Sequence, residues 1–96
     1  MSDDDELRNL AAEVLMRTGS RDLADVRRSA GLARLEPDLR AVLTLRLGLD
    51  RDPIRPRTRA EVAETMGMGG SRIEEGIAAI ERDATDDLGS PASPLP

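Results

Sequence analysis

Apolar residues recur at three- and four-residue spacing along this chain. Leu7, Leu10, Ala11, Val14 and Leu15 make one stripe, and Leu39, Val42, Leu43 and Leu47 make another. Ile73, Ile77, Ile80, Ala84 and Leu88 make a third. That period belongs to the α-helix, where side chains three and four apart share a face. A strand would need a period of two instead. The spacing therefore predicts an all-α protein, a small helical bundle of about five helices.

The punctuation between the stripes supports this division. Gly19 is a natural stop for the first helix. Ser20 can cap a second, carrying Leu23, Val26 and Ala30 inward and ending near Gly31. Pro37 suits a first helical turn, where its missing N–H has no partner to lose, and that helix runs to Gly48. Asp50 to Arg57, with two prolines, reads as a loop. Thr58-Arg59-Ala60-Glu61 and Ser71-Arg72-Ile73-Glu74 are both capping-box patterns, each opening a helix. Three segments are expected: a helical pair over 1–33, a helical domain over 34–88, and a disordered tail over 89–96 rich in Pro, Ser and Gly.

Composition narrows the function. The 96 residues include no aromatic residue, no His, no Cys and no Lys, and all fourteen basic residues are Arg. Most general bases, thiol nucleophiles, Schiff-base amines and nitrogen or sulfur metal ligands are thereby missing. A binding protein is expected and not an enzyme, with no cofactor and no metal site. Asp3-Asp4-Asp5 and Asp83-Asp86-Asp87 have no capturing loop around them. The acidic start from Ser2 to Glu6 is unlike a signal peptide, and no apolar run is long enough to span a bilayer. A cytoplasmic protein with no membrane partner is expected, and without cysteine it has no disulfide staples.

The stretch from Arg59 to Ile77 has the residues that two tightly joined helices need. Ala63 is small where the second helix packs on the first, Gly67 tolerates a positive φ in the turn, and Ile73 returns early to the core. Val62, Met66 and Met68 fill the other inward positions. This pattern fits a helix-turn-helix; an ordinary helical hairpin with a glycine turn has the same punctuation. Upstream, Leu35-Glu36-Pro37-Asp38-Leu39-Arg40-Ala41-Val42-Leu43-Thr44-Leu45-Arg46-Leu47-Gly48-Leu49 resembles the start of region four of sigma-70 family factors, roughly "L-x-P-R-E-x-x-V-L-x-L-R-F-G-L". Thr58 to Ala63 resembles that family's "T-L-E-E-V-G". The resemblance covers about Leu35 to Leu88. It implies a bacterial transcription protein whose last helix reads a promoter while other surfaces meet RNA polymerase.

The residues that touch DNA in that family are replaced here. Its base-reading Arg and Glu fall on Gly70 and Ser71, its Gln on Glu75, a further Arg on Glu74, and its phosphate-contacting Arg after the Pro on Asp38. Only Arg46 and Arg72 persist. Acids on a groove-facing helix repel phosphate, and Glu can pair only with the amino group of cytosine. Promoter reading by this helix is expected to be lost.

Charge is divided sharply along the chain. From Arg34 to Ala60 there are seven Arg against four acids; from Ser71 to Leu88 there are six acids against two Arg. Two functional expectations follow. In the first, the acidic last helix, with Glu74, Glu75, Glu81 and Asp83, contacts RNA polymerase, a sigma factor or another regulator; the bland alternative is a solvated face. In the second, DNA is bound by Arg46, Arg55, Arg57, Arg59 and Arg72 around a patch that includes Arg51, with a homodimer doubling it. Its bland alternative is pairing with Asp50, Asp52 and Glu61. Residues Leu7 to Ala30 can serve self-association or simply complete the core.

Overall fold

A computed structural model describes residues 3–89, and every regular element among them is helical. The helices are α1 Asp3–Thr18, α2 Leu23–Arg27, α3 Ala30–Arg34, α4 Pro37–Leu47, α5 Arg59–Thr65 and α6 Ile73–Gly89. The tail expected to be disordered lies, from residue 90 on, outside the described residues. No helix among the described residues is long and apolar enough to cross a membrane.

The single helix expected between Ser20 and Gly31 is two short ones. Asp22 caps the first, its carboxylate accepting the Asp25 amide at 3.0 Å. Ser29 caps the second, its hydroxyl accepting the Leu32 amide at 3.1 Å. Ser20 lies 2.6 Å from the Thr18 hydroxyl through its own and caps nothing. Ala30 opens α3 on the exposed side, so it is not the core residue its spacing suggested.

α4 begins at Pro37 and ends on Gly48 at φ 73°. The Leu49 amide returns to the Thr44 carbonyl and the Gly48 amide to Leu45, the pattern of a left-handed helix stop. A side chain is excluded here twice over. Beyond the strained φ, a Cβ at Gly48 would lie 1.9 Å from the Arg55 carbonyl oxygen, because the loop over 50–57 folds back across this point. That loop includes a cis Asp52-Pro53 bond.

α5 carries the capping box as expected. The Thr58 hydroxyl accepts the Glu61 amide at 3.1 Å, and the Glu61 carboxylate accepts the Thr58 amide at 2.9 Å. The second box does not form. α6 starts at Ile73, with the Arg72 carbonyl accepting the Gly76 amide, one residue later than a Ser71 cap requires.

Two apolar clusters hold the helices, and α4 and α6 serve both. Val14, Val26 and Leu32 join Leu43, Leu47, Leu49, Ala84 and Leu88 in the first, so residues 1–33 share a core with the rest. Val42, Val62, Ala63 and Ile77 form the second, with Met66, Met68 and Ile73 packed against it. The positions that the α5–turn–α6 spacing sends inward are therefore those that pack. Each fully buried Val, Leu or Ile contributes about 1.5–3 kcal/mol. α6 is the hub, touched by α1, α3, α4 and α5.

Candidate functional site

The stretch Leu45-Arg46-Leu47-Gly48-Leu49 places its residues by position. Leu45 packs on the second cluster, Leu47 and Leu49 enter the first, and Gly48 turns the chain. Arg46, between two inward leucines, is itself fully buried. A guanidinium without water needs acceptors for its donors. Nε of Arg46 donates to Glu81 at 3.0 Å, and Nη1 donates to the Arg57 carbonyl at 2.6 Å.

Glu81 is shared. Arg59 donates Nε and Nη2 to its two oxygens, both at 3.0 Å, and Nη1 to Glu6 at 2.7 Å. The Glu81 hydrogen bonds, followed by the one to Glu6, hold the Arg59 guanidinium well above the ordinary arginine range. Four helices thus meet in one charged network: α4 through Arg46, α5 through Arg59, α6 through Glu81 and α1 through Glu6.

Arg57 closes the loop. It forks onto Asp50 at 2.7 and 3.0 Å and donates to the Leu45 carbonyl at 3.2 Å, while its amide donates to the Arg46 carbonyl. These bonds lower the Asp50 carboxyl from its ordinary range and raise Arg57.

This geometry revises the expected sites. Arg46, Arg57 and Arg59 face inward onto carboxylates and carbonyls, so their charge is not offered to DNA. Of the five arginines expected at a DNA surface, Arg55 and Arg72 are exposed. Glu81 is likewise buried beneath Arg46 and Arg59 and is unavailable to a partner, whereas Glu74, Glu75 and Asp83 are exposed. Asp50 pairs with Arg57 as the bland alternative had it; Glu61 instead caps its helix. Arg51 and Arg55 line a cleft of about 350 Å³ with Asp52 and Pro53.

The surface of α5, the turn and α6 is acidic. Glu61, Glu64, Glu74, Glu75 and Asp83 are all exposed, and from Glu61 to Asp83 the basic residues are Arg72 and Arg82. Backbone donation from Thr58 at the cap lowers the Glu61 carboxyl, so it stays ionised.

Between α1 and α6 runs an open groove of about 340 Å³ whose walls include Glu6, Glu13, Arg17, Arg59, Glu81 and Arg82. Arg17 is taken up by Glu13 and the Thr85 carbonyl, and Arg59 by Glu6 and Glu81. The groove is therefore floored by charges already satisfied within the fold. Among the described residues no group of three carboxylates converges as a metal site would require. No protein family, curated protein or solved structure matches this chain.

Proposed function

We propose that this chain is a transcription-related binding protein that works by protein contact, its acidic α5–α6 face docking on a basic surface of RNA polymerase, a sigma factor or another regulator. One observation carries this reading. On α5, the turn and α6, exposed Glu61, Glu64, Glu74, Glu75, Asp83, Asp86 and Asp87 outnumber exposed Arg72 and Arg82, while Arg46 and Arg59 are spent on buried Glu81. Phosphate is repelled by such a surface, and Lys- or Arg-rich protein is attracted. The inward residues of the region-four-like pattern support it further, since Val62, Ala63, Met66, Met68 and Ile73 pack as that pattern requires.

The second expectation, DNA binding through Arg51 to Arg59, keeps only Arg51 and Arg55 toward solvent. The reading is tested by titrating the full chain against purified polymerase core and a primary sigma factor. Saturable binding that weakens when exposed carboxylates become amides supports it. Binding indifferent to those changes, or none, opposes it.

A further inference from the structure

The arginines fall into two populations. Arg8, Arg17, Arg21, Arg46, Arg57 and Arg59 pair with carboxylates. Among the described residues, Arg27, Arg28, Arg34, Arg40, Arg51, Arg55, Arg72 and Arg82 form no such pair, and the first six lie between α2 and the loop before α5.

Three of these six are anchored by neutral groups. Arg27 donates Nε to the Leu49 carbonyl at 2.8 Å and Nη2 to the Arg51 carbonyl at 2.9 Å. Arg34 donates Nε to the Ala30 carbonyl at 3.4 Å, and Arg40 donates Nη1 to the Ala33 carbonyl at 3.3 Å. A carbonyl orders a guanidinium without cancelling its charge, and a guanidinium has five donors, so several remain for a ligand. Ordering before binding reduces the entropy lost on binding.

The anchors also fix where these charges lie. Arg40 reaches back to α3 beside Arg34 at the start of α4, and Arg27 meets Arg51 beyond its end. α4 has eleven residues, so the two groups are separated by roughly 16 Å along its axis. That matches the rise of about five phosphates on one strand of a duplex. Nearby acids compete only in part. Asp50 is held by Arg57, Asp25 by Arg21, and Asp22 caps α2. Glu36, Asp38 and Asp52 remain exposed.

We infer that this edge is a second interaction surface, distinct from the acidic face, which takes the phosphate backbone of a nucleic acid. Planar guanidiniums suit phosphate by paired donors. A membrane is the poorer fit, because among the described residues the exposed large apolar residue is Met16, on α1 and not on this edge.

The test is fluorescence anisotropy of a short labelled duplex DNA and a short single-stranded RNA titrated with the full chain. With about four phosphate contacts, affinity falls ~100-fold between about 50 and 200 mM salt. The variant R28Q/R34Q/R55Q should lose at least tenfold in affinity. The control R8Q/R82Q removes exposed positive charge away from the edge, and should bind like the parent. Thermal melting of each variant verifies the fold. Arg27 is spared because it also ties down the loop. No binding at the lower salt, equal loss in both variants, binding to phosphatidylserine-containing vesicles but not to nucleic acid, or self-association as the sole salt-sensitive event would each overturn the inference.

Discussion

Arg46 and Glu81 stand 35 residues apart in the chain, yet the Arg46 Nε lies 3.0 Å from a Glu81 oxygen, with both side chains out of water. Removing one member of such a pair strands the other. Glu81→Gln leaves buried Arg46 and nearly buried Arg59 without their shared anion, and should cost about 3–5 kcal/mol in urea unfolding. Replacing the pair together, as R46M/E81L, should cost clearly less than the sum of the two single changes, because the buried charge is removed with its partner. Additive losses would show that the two residues do not act as a unit.

The two left-handed turns flanking α5 are separable by one substitution each. Gly67, at φ 70°, has nothing within 4 Å of an added Cβ, so Gly67→Ala should cost only the backbone strain, about 1–2 kcal/mol. Gly48→Ala adds a collision with the Arg55 carbonyl and should at least double that loss. Equal losses in thermal melting would mean the loop does not cross Gly48 as described.

Asp50 gives stability a pH dependence whose sign can be worked out. Its folded carboxyl is lowered by the hydrogen bonds from Arg57, so the unfolded chain takes up a proton first as pH falls. The contribution is complete above the ordinary Asp range, near pH 4, and is lost as pH drops through the lower folded value. Asp50→Asn should therefore be less stable than the parent at neutral pH. The gap should narrow below about pH 4 in urea titrations taken down to pH 2. A gap constant with pH would assign the loss to packing and not to the ion pair.

Most of the local structure is legible in the sequence, because it depends on residues close along the chain. Thr58 and Glu61 are three apart and cap as a box; Gly48 follows an apolar stripe and stops it. Where two local signals competed, spacing misled. Ser20 looked like a cap, but Asp22 and Ser29 hold the amides, and Ser71 stands one residue too early for α6. The charged network was not legible. Arg and Glu are ordinarily surface residues, and nothing local tells Arg46 or Arg59 that Glu81 lies across the bundle. One hint existed: Arg46 sits between Leu45 and Leu47, and Glu81 follows Ile80 on the apolar side of α6. The candidate surfaces were half visible for the same reason, since charge type is written in sequence while its neutralisation depends on the fold.

The acidic α5–α6 face is tested most directly by isothermal titration of the full chain into polymerase core and into a primary sigma factor, beside the variant E64Q/E74Q/E75Q/D83N. These four carboxylates are exposed, and the capping Glu61 is left in place. Binding to one of the two proteins is expected, weakened at least tenfold in the variant and by added salt, with the melting temperature unchanged within a few degrees. Parent and variant binding with equal affinity, or neither target being bound, would contradict it.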